Sequence, residues 1–144
     1  MSDSANLALP FIEAAQAQKH VTHNDALTLL DACVQLSVAS RNVLAPPANP
    51  ATGARYIIGA AATGVFAGRT NQVAYWDPAG WRFLAPQIGW TAWVASESGL
   101  FVFDAAGWSA LESRLSQLQN LQRLGVGTTA DASNPFAAKL NAML

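Results

Sequence analysis

The chain has 144 residues, the length of one ordinary domain, with 51% hydrophobic residues, 12% charged residues and a formal net charge of -1. A typical globular domain carries about 25% charged residues, so either uncharged polar groups cover the surface or other copies bury it; the mean hydropathy of +0.19 favours burial. The eight basic residues are scattered with no two adjacent, which argues against the basic stripe that nucleic-acid binding uses, and no apolar run reaches the roughly 20 residues of a membrane span.

Met1-Ser2-Asp3-Ser4 lacks the basic-then-apolar layout of a secretory signal, so synthesis in the cytoplasm is expected. From Leu9 to about Asn42 the chain contains no Gly, and its Pro is confined to Pro10. Ala, Gln and Leu favour helix there. A short helix is expected from about Phe11 to Lys19. Asn24 is a plausible N-cap for a second, with Asp25 in its first turn. Leu27, Leu30, Val34 and Leu36 or Val38 then recur at helical spacing, giving an amphipathic helix of about four turns. The stretch Ala45-Pro46-Pro47-Ala48-Asn49-Pro50 ends it, because Pro cannot continue a helix.

Between Gly53 and Leu111, aromatic and β-branched residues alternate with turn residues, the pattern of strands. The stretch Tyr75-Trp76-Asp77-Pro78-Ala79-Gly80-Trp81 returns as Val102-Phe103-Asp104-Ala105-Ala106-Gly107-Trp108. Asp-x-x-Gly makes a hairpin turn because Asp accepts from backbone N–H groups and Gly takes positive φ. Arg55-Tyr56-Ile57-Ile58 and Thr91-Ala92-Trp93-Val94 read as the strands preceding each hairpin. A duplicated, six-stranded antiparallel domain follows.

Beyond Ser109, Leu111, Leu115, Leu118, Leu121 and Leu124 recur at steps of three and four, and Gly125 and Gly127 follow as stop signals. A helix is expected, with Leu115, Leu118 and Leu121 as its oligomer-facing seam, although two heptads are too short to stand alone as a coiled coil. A last helical piece is expected from Pro135 to Leu144.

Candidate chemistry is sparse. His20 and His23 sit three apart and could share a metal on a helix, but capping and packing account for them as well. Cys33, the one cysteine, reads as a buried, inert thiol. Asp77 and Asp104 could be set as a glycosidase pair, but each already has a structural task in a repeated turn. A catalytic pair needs two different environments. Five Trp residues (Trp76, Trp81, Trp90, Trp93, Trp108) crowd the β region. They supply either the core of a small β-domain or stacking platforms for a carbohydrate, for which Trp81, Trp108 and Trp90 are the candidates.

The stretches Leu9-Pro10-Phe11-Ile12, Ala15-Gln16-Ala17-Gln18-Lys19-His20-Val21-Thr22-His23-Asn24, Leu30-Asp31-Ala32, Ala45-Pro46-Pro47, Gly53-Ala54-Arg55-Tyr56-Ile57, Phe83-Leu84-Ala85-Pro86, Gly89-Trp90 and Leu124-Gly125-Val126 carry a resemblance that spans nearly the whole chain. The chain resembles an uncharacterised domain family of prophage and gene-transfer-agent appendage proteins (tail fibre, host-specificity or head-spike proteins). That family has no assigned activity. The resemblance implies a place on a virion or virus-like particle.

The expected fold is α+β: an N-terminal helical region over 1–45, a small duplicated antiparallel β-domain with two Asp-x-x-Gly hairpins over 46–111, and short C-terminal helices over 112–144 as an oligomerisation or connector segment. The expected function is non-enzymatic: a structural and adhesive component of a phage-like particle appendage, made in the bacterial cytoplasm and assembling by closed symmetry. A trimer suits a fibre and a pentamer suits a vertex spike. Expected partners are other copies, other particle proteins and host surface polysaccharide, with no cofactor, metal, nucleic acid or membrane insertion. The alternative is a carbohydrate-binding module that recognises cell-surface polysaccharide through exposed Trp.

Overall fold

The computed structural model of the chain describes residues 3–12, 19–115, 117 and 119–139. It divides into two compact units, Met1–Ser113 and Arg114–Leu144.

The first unit contains helix α1 (Lys19–Cys33) and strands β1 (Ser37–Val38), β2 (Ser40–Val43), β3 (Arg55–Ile58), β4 (Val73–Asp77), β5 (Gly80–Leu84), β6 (Thr91–Val94), β7 (Gly99–Asp104) and β8 (Gly107–Ala110). They form two four-stranded sheets, ordered β2-β3-β4-β5 and β1-β6-β7-β8. Each sheet is an antiparallel three-strand meander with one parallel strand added at its edge. Residues 37–43 supply both parallel strands: Val38 pairs with Val94 of one sheet and Ser40 with Tyr56 of the other. Between them the Ala39 N–H donates to the Arg55 carbonyl (2.8 Å) and the Ala39 carbonyl accepts from Ser96 N–H (3.1 Å). One short segment thus stitches the two sheets together.

The hairpins close as turn chemistry demands. Asp77 faces Gly80 and Asp104 faces Gly107. Each carboxylate accepts from the N–H two residues on, Ala79 at 2.6 Å and Ala106 at 2.8 Å, and both glycines take positive φ, 129° and 113°.

Strand alternation sorts the side chains. Leu36, Val38, Ala92, Val94 and Phe101 from one sheet meet Ile57 and Val73 from the other, with Leu84, Trp90 and Trp108 packed against them. The opposite face of the β2-β3-β4-β5 sheet has its own cover. The connection between β3 and β4 folds Phe66 onto Ile58 and Ala74, flanked by Trp81 and Phe83. Gly59 permits this crossing, since a Cβ there would lie 2.8 Å from the Asn42 backbone.

The N-terminal residues are held by one buried carboxylate. Asp31, on α1 and fully buried, accepts from Ser4 Oγ (2.7 Å), Asn6 N–H (3.1 Å), Asn6 Nδ2 (2.7 Å) and Leu7 N–H (2.6 Å). Burial pushes its carboxyl pKa up, but these donors outweigh burial and hold it below the ordinary value. Gly53 lies where this loop packs: at φ 83°, a Cβ on it would be 2.7 Å from that of Ala5.

In the second unit, β9 (Leu124–Val126) pairs in parallel with β10 (Phe136–Ala138). One face is closed by the chain itself, because a Cβ on Gly125 would strike the Thr128 carbonyl. Leu124, Val126 and Phe136 are exposed.

The α+β expectation is overturned. Among the described residues the chain is mostly β, in three sheets, and α1 is the one α-helix. It starts five residues before Asn24, so Asn24 is no N-cap. Its side chain instead pairs with the backbone of Ile12, accepting at 2.9 Å and donating at 3.0 Å. The helix stops at Cys33, where Gln35 turns into the left-handed region (φ 50°). Leu36 and Val38, spaced to continue the helix, are buried in the core between the sheets instead, Val38 in β1 and Leu36 just before it. The expected helix from Phe11 to Lys19 falls largely on residues 13–18, outside the described residues.

The C-terminal helices are absent among the described residues. A 3₁₀ turn spans Leu111–Arg114, Leu124 lies in a strand, and Phe136–Ala138 is strand where helix was expected. A leucine stripe of two heptads needs a surface to bury it; Leu115 and Leu121 remain exposed. The sheets are mixed rather than antiparallel, because β1 and β2 come from the region expected to be helical.

Candidate functional site

The outer face of the β1-β6-β7-β8 sheet carries an exposed Trp beside an exposed Leu. Alternation in β6 sends Ala92 and Val94 inward and Thr91 and Trp93 outward. Trp93 pairs across strands with Ser37 on one side and Leu100 on the other. Thr91 pairs with Val102, which pairs with Ser109. No side chain in these two rows is charged. Trp93 is 45% exposed and Leu100 37%.

Beside this face the chain between α1 and β1 forms the wall of an open groove of about 570 Å³, with Trp90, Trp93 and Leu100 on one side and Cys33, Val34 and Gln35 on the other. The groove combines two indole rings with the Gln35 amide and Thr91 hydroxyl, the composition of a site that stacks on flat apolar surfaces and hydrogen-bonds neutral polar ones. Cys33 is half-buried there. Burial pushes its thiol pKa up, with Arg55 pulling partly against it, so the thiol is a poor nucleophile at neutral pH.

The three Trp residues marked from sequence are all half-buried. Trp81 stacks edge-on against Phe66 (5.0 Å), Trp76 (5.1 Å) and Tyr56 (6.0 Å). Trp108 packs on the central core, and its Nε1 donates to the Asn71 carbonyl at 2.9 Å. Trp90 packs on the same core and reaches the groove. Trp93 was not singled out, yet it is the outward ring. Its signal was legible: in Thr91-Ala92-Trp93-Val94 the small and branched residues share one face and leave Trp93 on the other. Of the seam residues, Leu115 and Leu121 are exposed, and Leu118 lies outside the described residues.

His23 is exposed on α1, and the side chain of His20 is outside the described part. Among the described residues no group of three His, Cys, Asp or Glu could hold a metal. No helix there is long and apolar enough to cross a membrane. Asp77 and Asp104 each hold a turn. Asp77 also pairs with Arg82, which reaches on to Asp25 at 3.0 Å. Burial lowers the Arg82 pKa, but its bonds to Asp25 and Asp77 outweigh this and raise it.

Residues 23–109 match the family described as "Protein of unknown function (DUF2793)". The chain belongs to this family. The matched region includes most of α1, both meanders, the groove and the two uncharged rows, and it stops within β8. A family of unknown function brings no residue roles with it, so the roles must be argued from geometry. No curated protein matches the chain.

Proposed function

We propose that the chain is a structural and adhesive, non-enzymatic component of a phage-like particle appendage, the base of a tail fibre or head spike, which assembles as a homo-oligomer and supports attachment to a host surface. The two uncharged rows of the outer sheet face, one through Trp93 and Leu100 and the other through Thr91, Val102 and Ser109, carry this reading. A half-exposed Trp–Leu pair in a row without charge favours burial, and copies related by closed symmetry can bury that row without bringing like charges together. The low charge of the chain and the exposed Leu124, Val126 and Phe136 of the second unit support the same conclusion. The resemblance to appendage proteins supports the particle location, with other particle proteins as neighbours.

Light scattering over a concentration series tests self-association. A stable trimer fits a fibre and a pentamer a vertex spike. Trp93→Arg should dissociate either while leaving the fold intact. A monomer at every concentration would refute self-assembly of the chain.

The groove favours a second reading, a carbohydrate-binding module for cell-surface polysaccharide. Here the platform is Trp93 with Trp90, whereas Trp81 and Trp108 serve packing. Loss of glycan binding in folded Trp93→Ala is the expected result; retained binding would remove the groove from consideration.

A further inference from the structure

A second cavity, of about 430 Å³, lies on the other sheet of the first unit, where the N-terminal loop meets the first Asp-x-x-Gly hairpin. Tyr75, Asp77 and Arg82 line it from the sheet, with Asp3 and Phe11 from the N-terminal segment and Thr52 from the chain before β3. Tyr75 is only 3% exposed. Its neighbours across the strands are Arg55 and Arg82, and Arg55 instead donates to the carbonyls of Asp31 and Ala32. Among the described residues nothing hydrogen-bonds the Tyr75 hydroxyl. Buried hydroxyls nearly always have a partner, and a molecule seated in the cavity that Tyr75 lines could supply one. The hydroxyl is a donor: burial raises its pKa, and Asp31 and Asp77 raise it further.

The surroundings narrow the class of molecule. Asp77 accepts hydrogen bonds, and its partner Arg82 makes donors available alongside Tyr75 and Thr52. Phe11 and Pro78 supply apolar wall. The charged groups of the lining are the carboxylates of Asp3 and Asp77 and the guanidinium of Arg82, and Asp77 and Asp25 already hold that guanidinium, which disfavours an anion. The volume is that of a small-ligand site. We propose that this cavity binds a neutral sugar ring, with the Tyr75 hydroxyl donating to a ring hydroxyl or the ring oxygen and Asp77 accepting from an adjacent hydroxyl. This rests on the adhesive half of the proposed function and gives it a site separate from the Trp93 face, so loss of self-association would leave it standing.

The test is a titration of the full chain with methyl glycosides of glucose, galactose, mannose and N-acetylglucosamine at millimolar concentrations, followed through backbone amide shifts. Glucuronate serves as the anionic control. At least one neutral glycoside should shift the amides of Thr28, Thr52 and Ala79, with glucuronate weaker. Tyr75→Phe should weaken binding by about tenfold, the loss of one well-placed hydrogen bond, without lowering the unfolding temperature, because no bond among the described residues is lost. Ala79→Trp, at an exposed position on the rim, should block binding by bulk. Any of four results overturns the proposal: no neutral glycoside binds, glucuronate binds best, Tyr75→Phe binds as tightly as the parent, or the shifts gather at Gln35, Thr91 and Trp93.

Discussion

Replacing Asp31 by Ala removes the acceptor for four donor groups at once: Ser4 Oγ, Asn6 N–H, Asn6 Nδ2 and Leu7 N–H. A hydrogen bond to a charged group contributes about 1.5–3 kcal/mol, and a buried donor left unpaired costs about 1–3 kcal/mol. The sum over four donors overshoots, because residues 3–10 are mostly exposed and can peel away to find water. Once they peel, the loss is limited to the anchoring of that loop. The expected cost is about 3–4 kcal/mol, close to that of breaking a buried charged contact. Urea unfolding followed by Trp fluorescence reads the cost, and amide exchange at Leu7 reads the release of the loop. The pH dependence has a definite sign. The folded pKa of Asp31 is below its unfolded value, about 3.9, so its contribution is present above that value and is lost as pH falls through the folded pKa. Asp31→Ala should therefore lose less stability than the parent on acidification. A variant within about 1 kcal/mol of the parent, with Leu7 still protected from exchange, would refute the anchoring role.

Three further outcomes are expected. Phe66→Ala empties the space beside Trp81 and Phe83 and should cost about 3–5 kcal/mol in urea titration. Gly59→Ala places a methyl group against the Asn42 backbone and should destabilise by about 1–3 kcal/mol or more, visible as a lower thermal midpoint. Trp93→Ala and Trp108→Ala should separate cleanly: the outward ring should cost under about 1 kcal/mol, whereas the core ring, with its bond to Asn71, should cost about 3–5 kcal/mol. Equal losses in the two variants would contradict the assignment of faces.

The local chemistry of the chain was legible in its residues. Asp77 and Gly80, like Asp104 and Gly107, specify their turns through a carboxylate acceptor and a positive φ, neither of which depends on distant contacts. The repeat of the two hairpins and the strands before them could be read for the same reason. The exposed side of β6 was also readable from alternation, although the candidate rings were placed on Trp81, Trp108 and Trp90.

What tertiary structure decided lies where spacing fits two outcomes. Leu36 and Val38 satisfy a helical step and a strand alternation equally well, and the free edges of β3 and β6 settled the matter by pairing with residues 37–43 on both sides. The leucines after Ser109 match a helix, but helix formation there depends on a surface that covers the stripe. Leu124 instead pairs with Phe136. Asp31 reads as an ordinary polar position within a helical pattern. Only the return of residues 4–7 over α1 makes it a buried anchor, because periodicity records which face a residue occupies and is silent on which distant backbone will come to meet it.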